Sequence, residues 1–418
     1  MLRHSRQLLA LYCSTALLLA GHGLQLTLLP LRASDLGWAP TEIGLTGTAY
    51  FAGFLFGCYF VPRLVTGVGH IRVFSAMTTL CSLALLGIIE LHSVTFWFLL
   101  RFATGIGISG SYIVIESWLN EKSAPDARGR TMAFYTALVL VSMTIGQLFV
   151  SVSDPATDTP VILGVGLMAA AVLPLSLIRM QQPRRPRTAS WTVRELARSA
   201  PAAFGTTLLA GLITSALYGL LPVAAVEMGY NATEATLFMM SMVAGGAVLQ
   251  YPVGKVSDRL DRRIVLIGLG CAGLIAAALT TTLADDLHAR LALIFIIGGT
   301  ASAMYPLCLA HANDRLPHDF LAVGTTILFL NSLGSVVGPT VFALIMGRVG
   351  IEAYFFQMAA VFGIISIWAL ICTVRRSEPE RQSDFVSVVR SSPQAIALDP
   401  REEVDAENEA KAQPSDVG

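Results

Sequence analysis

Twelve apolar windows, each about the twenty residues that a helix needs to cross a ~30 Å hydrocarbon layer, follow one another along this chain. They fall at 8–30, 42–62, 71–91, 95–119, 130–152, 160–179, 202–226, 235–253, 263–284, 288–311, 321–346 and 351–374. Composition agrees, with 54% of residues hydrophobic and only 13% charged, against roughly one quarter charged in soluble domains. An all-α integral membrane protein is expected, because backbone in lipid must satisfy its own hydrogen bonds. Arg3 and Arg6 precede the first window, as in a signal peptide. Its apolar character runs on to Pro30 without a small-x-small cleavage pair, so it reads as an uncleaved first helix.

Basic residues set the expected orientation. Twenty of the 28 Lys and Arg fall on one face, among them Arg63, Arg72, Lys122, Arg128, Arg130, Lys255, Arg259, Arg262, Arg263 and Arg315. The opposite loops hold only Arg32, Arg290 and Arg348, with acids such as Asp35, Glu42, Asp154, Asp158, Glu227 and Glu234. By the positive-inside rule both termini are cytoplasmic, in a cell inner (plasma) membrane. Asn231-Ala232-Thr233 is a sequon by form only, since short sequons arise by chance. The six cysteines stand singly in apolar runs without CxxC spacing, which suits packing rather than metal or disulfide.

The windows divide into two groups of six. Residues 1–179 form a first bundle, 180–201 a basic linker, 202–374 a second bundle and 375–418 a tail. Within the linker, Thr192 to Ser199 suggests a short amphipathic helix on an anionic leaflet, the alternative being a solvated linker that only fixes topology. The tail carries ten acidic residues from Glu378 to Asp416 and reads as disordered.

An offset of 192 carries Asp35-Leu36-Gly37-Trp38 onto Glu227-Met228-Gly229-Tyr230, Thr41-Glu42 onto Thr233-Glu234, Pro30 onto Pro222, Gly53 onto Gly245 and Gly146 onto Gly338. An offset of 193 carries Gly105 onto Gly298, Tyr112 onto Tyr305 and Asn120-Glu121 onto Asn313-Asp314. The two bundles are therefore expected to be repeats. Six spans each give them the same direction, a parallel repeat about an axis along the membrane normal.

Gly254-Lys255-Val256-Ser257-Asp258-Arg259-Leu260-Asp261-Arg262-Arg263 resembles the loop signature G-x-x-x-D-R-x-G-R-R of the major facilitator superfamily (MFS). Arg101-Phe102-Ala103-Thr104-Gly105-Ile106-Gly107 is similar to that family's fourth-helix pattern, and Glu121 with Arg128-Gly129-Arg130 to the loop that follows. The copy after the second window, Pro62 to His70, lacks the acid. The antiporter pattern G-x-x-x-G-P appears on the eleventh window, as Gly334 to Pro339, and not on the fifth, which reads Met143 to Gln147. The resemblance spans nearly all of residues 1–375. It implies the MFS fold, with every third helix peripheral and the others around a central cavity. The sequence agrees, since the sixth, ninth and twelfth windows are almost wholly apolar and the third nearly so.

Within the fourth window, Arg101, Gly105, Ser109, Tyr112, Glu116 and Asn120 share about a 100° arc of one helix. Such a stripe must face protein or trapped water. Arg101 and Glu116 stand ~22 Å apart along the helix and do not pair with each other. For Glu116 the reading is a protonatable or gating group, with Tyr112 as donor; a salt bridge to Arg128 or Arg130 is the structural alternative. Arg101 reads as a cavity charge facing an anion or the coupling carboxylate, with snorkelling as the alternative. Further polar positions are His22, Gln25, Tyr135, Thr214, Tyr218, Tyr305 and Asn331. His22, between two glycines, is either a proton carrier or a packing histidine. Gly254, Asp258, Arg259, Arg262, Arg263 and Asp314 are expected to form a latch in which carboxylates hold Arg259, with Glu121, Arg128 and Arg130 as its counterpart; the alternative is a plain topology signal.

No P-loop, HExxH or GxSxG pattern occurs, so neither ATP hydrolysis nor enzyme chemistry is expected. Nothing calls for a cofactor, a metal or nucleic acid, and a monomer is expected. The function predicted is secondary active transport of a small organic solute by alternating access, as proton-coupled efflux of amphipathic compounds. Uptake or facilitated diffusion of a small metabolite, anionic where Arg101 receives it, is the alternative, and a non-transporting sensor or scaffold the reading from another class.

Overall fold

The computed structural model describes residues 2–123, 128–178, 192–282, 286–316, 320–375, 385 and 391–396. Among them every regular element is a helix. The first half comprises α1 (Leu2–Asp35), α2 (Pro40–Val68), α3 (His70–Glu90), α4 (Val94–Lys122), α5 (Arg128–Ser151), α6 (Thr159–Ala170) and α7 (Val172–Ser176). A short α8 (Val193–Ser199) leads into α9 (Pro201–Glu227), α10 (Ala232–Ser257), α11 (Arg262–Thr282), α12 (Leu287–Arg315), α13 (Phe320–Val349) and α14 (Glu352–Arg375), and one turn, α15 (Pro393–Ile396), follows. Twelve stretches are long and apolar enough to cross a membrane, α6 and α7 together making the sixth.

The repeat seen in the sequence is a repeat of backbone geometry. Gly37 (φ 76°) and Gly229 (φ 92°) end α1 and α9 in the left-handed region, which favours glycine because it lacks a Cβ. In each copy the residue after that glycine donates its N–H five residues back, Trp38 to Ala33 and Tyr230 to Ala225 (both 3.1 Å). The next helices are capped alike, Glu42 accepting the Ala39 N–H (2.8 Å) and Glu234 the Asn231 N–H (2.9 Å). Asn231, the sequon asparagine, accepts the Glu234 N–H in return.

Glycines also set the helix crossings. A Cβ on Gly53 would lie 2.0 Å from the Phe102 carbonyl oxygen, and one on Gly105 would lie 2.1 Å from that of Tyr50, so α2 and α4 touch backbone to backbone. Gly245 and Gly298 bring α10 and α12 together in the same way, against Phe295 (1.9 Å) and Met242 (2.2 Å). Without a hydrophobic force between helices in lipid, such close approach is what holds a bundle together.

One face of the molecule carries most of the Lys and Arg, the other most of the loop acids; they are called here the basic and acidic faces. Toward the acidic face the halves meet directly. Thr48 of α2 donates to the Val336 carbonyl (2.8 Å) and pairs with Thr340 of α13 (2.7 Å), while Gly44 abuts Pro339 and Ala343. Pro339, the last residue of the GxxxGP stretch, thus lies at this contact, while Gly334 and Gly338 abut α9. Arg32, unusual on the acidic face, bonds Asp158 at 2.6 Å.

Leu196 of α8 is fully buried and Thr192 pairs with Thr326 of α13, so one face of this helix packs on protein, while Arg194 and Glu195 are exposed. Of the tail expected to be disordered, Phe385 and Ser391–Ile396 are packed against the helices, α15 lying between α4 and α13. Residues 376–384, 386–390 and 397–418 of the tail, and residues 179–191 at the end of the first bundle and in the linker, lie outside the described residues.

Candidate functional site

Eight helices, α1, α2, α4 and α5 from one half and α9, α10, α12 and α13 from the other, enclose a central cavity of about 190 Å³. No described residue of α3, α6, α7, α11 or α14 lines it, in keeping with the peripheral place expected of every third span. Of the side chains singled out from the sequence, His22, Tyr112, Thr214, Tyr218 and Tyr305 form part of its wall. Gln25, Arg101, Glu116, Tyr135 and Asn331 are buried outside the wall.

Three polar clusters support the wall. Tyr50 bridges the first, its hydroxyl 3.1 Å from His22 Nε2 and its ring 4.7 Å beneath the Arg101 guanidinium. Gln25 Nε2 meets His22 Nδ1 at 2.8 Å. Arg101 is 4% exposed and its Nη1 has no hydrogen-bond partner, so a full positive charge is held by a ring face in low dielectric, where a cation–π contact is strongest. Arg101 therefore does not snorkel. In the second cluster, on α9 and α13, Asn331 donates to the Thr207 carbonyl (3.1 Å) and Ser335 to Gly211 (3.2 Å). These bonds tie α13 to α9, a positioning task.

Glu116 is the centre of the third. The side chain is fully buried, and the Tyr135 hydroxyl of α5 donates to its Oε1 at 2.8 Å. The Ser391 hydroxyl donates to the same oxygen and that of Ser392 to Oε2. Tyr135, rather than the expected Tyr112, is the helix-borne donor; Arg130 is exposed, and the Arg128 side chain lies outside the described residues. Every one of these partners is a donor, the complement a carboxylate requires.

The loop signature folds differently from the expected latch. Arg262, not Arg259, reaches the end of α12, its Nε bonding Asp314 Oδ2 at 2.6 Å with both side chains essentially inaccessible. Arg259 and Asp258 are exposed, and Asp258 accepts the Phe385 N–H at 2.7 Å. The reason is geometric: α10 ends at Ser257 and α11 begins at Arg262, so the residues between turn outward. Arg263 folds back on Asp261 (2.5 Å) and donates to the Cys372 carbonyl of α14 (3.2 Å). Burial would raise the Asp261 carboxyl, but the Arg263 side chain and N–H outweigh it and hold the group below its ordinary value. Gly254 sits against the Phe385 ring. In the first half Glu121 is exposed, as is Arg130.

Sequence reasoning misses Tyr50, Phe51 and Phe54, which make the α2 wall: no charged or amide side chain between Glu42 and Arg63 marks a polar face there, and Tyr50 stands among apolar rings. Gln250, also in the wall, is an amide in an apolar stretch and carried a usable signal. Below the Thr48–Thr340 contact, α2 and α13 separate around a second, apolar cleft of about 470 Å³ lined by Phe56, Tyr59, Phe102, Phe329 and Leu333. Ser332 lines both cavities.

Known proteins share this architecture. The family model described as Major Facilitator Superfamily matches residues 11–330 and, in an overlapping match, 203–402. An uncharacterised MFS-type transporter of Enterobacter sp. (strain 638) is 27% identical over 370 residues, which is 86% of this chain and 94% of that one. The crystal structure of the nucleoside transporter NupG matches with a TM-score of 0.74 at 14% identity, over 88% of this chain and 99% of that one. A bacterial homolog to the human lysosomal transporter Spinster, inward-facing and occupied, gives 0.72 at 16% identity, over 90% and 98%. Identities this low carry the fold alone. The paired halves around a central cavity are those of a membrane transporter rather than an enzyme, and the chain belongs to the Major Facilitator Superfamily.

Proposed function

We propose that this transporter moves a small amphipathic organic solute by alternating access, exporting it across the inner membrane in exchange for protons that Glu116 carries. The observation that supports this most directly is the pairing of an apolar, aromatic cavity built by both halves with a buried carboxylate set beside it on α4. Tyr50, Phe51, Phe54, Tyr218 and Tyr305 offer faces to an apolar body, and Thr214, Gln250 and Ser302 offer hydrogen bonds. The apolar cleft that joins at Ser332 favours a solute with a lipid-soluble part. The basic face is cytoplasmic, with both termini on it, by the positive-inside rule. Glu116 lies in the last third of α4 near that face, where a proton exchanged with the cytoplasm crosses little protein. Rocking of the halves, with the Thr48–Thr340 contact parting to open the acidic side, would expose the cavity to alternate sides.

Arg101 favours a second reading. A buried guanidinium with a free Nη1 one ring from the cavity suits uptake of a small anion, which would enter against Tyr50 and His22.

Purified protein in liposomes loaded with a pH dye, given pooled solutes with and without Glu116→Gln, tests the proposal. Solute-dependent proton movement that Glu116→Gln abolishes is the expected result. Solute flux without proton movement overturns the coupling and leaves a facilitator; proton-independent flux of anions alone favours the Arg101 reading.

A further inference from the structure

The carboxylate assigned to the pathway is already occupied, and its occupant is the chain itself. Ser391 and Ser392 present adjacent hydroxyls to the two oxygens of Glu116, and both serines are 1% exposed. Ala395 is fully buried beside them, and its backbone N–H also faces the carboxyl. One turn of helix, Pro393–Ile396, sets these groups between α4 of the first half and α13 of the second. A second anchor lies on the other half. The Phe385 ring covers Gly254, where a Cβ would come within 2.5 Å of it, and its N–H bonds Asp258. Glycine at 254 is therefore the residue that leaves room for the ring. The segment thus touches the first half at α4 and the second half at α13 and at the end of α10, near the basic face where α4 also ends.

We infer that Phe385 and Ser391–Ile396 form a tethered occupant of the transport pathway, closing its basic-face mouth and competing with solute or proton for Glu116. The inference rests on Glu116 lying on that pathway, as proposed above. Its physical basis is effective concentration. A ligand joined covalently to the protein reaches its site at an effective concentration of up to about millimolar, so two charge-assisted hydrogen bonds suffice to hold it without a large interface. A solute that supplies hydroxyl donors of its own displaces it by satisfying the same two oxygens. Toward the acidic face α2 and α13 are in direct contact, and the tail would supply the second gate, at the basic face.

Cysteine accessibility tests this independently of transport. Tyr112→Cys places a thiol in the cavity wall, one helical turn further from the basic face than Glu116. The full-length chain is labelled with a membrane-impermeant maleimide from the basic face, the six native cysteines of the parent setting the background. In Ser391→Asp/Ser392→Asp, two carboxylates would face that of Glu116 and the segment is repelled. Labelling is expected to accelerate at least about tenfold over the native tail, the change that losing even one such bond would bring. Ser391→Ala/Ser392→Ala, which removes the donors without adding charge, should fall between the two. Equal labelling rates in all three tails overturn the inference and leave the pathway standing. A thiol that no tail variant exposes from either face overturns both.

Discussion

Glu116 owes its place in this membrane to its donors. A buried carboxylate is tolerated only when its lone pairs are filled, and here Tyr135 fills one from a neighbouring helix. Tyr135→Phe removes that bond while keeping the ring. It is expected to fold normally and to slow coupled flux by roughly tenfold or more, since hydrogen bonds to charged groups contribute about 1.5–3 kcal/mol; initial rates in proteoliposomes check it. Asp261 gives a different signature. Its carboxyl is held below the ordinary aspartate value of 3.8, so its contribution to stability is complete above that pH and is lost as pH falls through the lower folded-state value. Asp261→Asn is expected to flatten the acid limb of the thermal stability curve below about pH 4 while lowering stability near neutrality; unfolding temperatures from pH 3 to 7 in detergent measure both. Neither partner was readable from spacing. The fourth-helix stripe identifies Glu116 as a residue that must face protein, but Tyr112 and Tyr135 are equally good donors until the α4–α5 packing chooses.

The helices pair through glycines, and the pairing is duplicated. Gly53→Val and Gly245→Val each drive a side chain into a carbonyl of the facing helix, and overpacking of this kind costs about 1–3 kcal/mol, sometimes more. The two variants are expected to lower the unfolding temperature alike, because the crossings they disturb are copies; a large effect of one alone would argue against equivalent halves. The 192-residue offset made these glycines conspicuous before any coordinates, since backbone contact tolerates no other side chain and so preserves the spacing. At the loop after α10 the opposite held. Three arginines, Arg259, Arg262 and Arg263, compete for two buried acids, and only the turn between Ser257 and Arg262 decides that Arg262 meets Asp314. Arg262→Ala would strand that acid and is expected to destabilise by about 3–5 kcal/mol, whereas Arg262→Met with Asp314→Leu recovers most of the loss. Chemical unfolding of the two variants distinguishes a structural clasp from a mere topology signal.

Two halves closed against each other at one face and bridged by a tail at the other define the state of the whole transporter. Thr48→Cys/Thr340→Cys places two thiols where hydroxyls now stand 2.7 Å apart, within reach of a disulfide. Oxidation is expected to stop solute movement and reductant to restore it, because alternating access requires that contact to part; undiminished flux in the oxidised protein would falsify the gate. Length and hydropathy alone determined the twelve spans, and the near-constant offset alone determined two parallel halves, because lipid imposes both requirements locally, on every twenty-residue stretch. The division into lining and peripheral helices was what the family resemblance implied, and polarity agreed with it. The folded molecule decided the rest: that aromatic α2 forms a wall, that Arg262 rather than Arg259 takes Asp314, and that an acidic tail returns to Glu116. Neutral rings leave no mark in hydropathy, and a contact between Glu116 and Ser391 joins residues whose separation along the chain bears no relation to their distance in space.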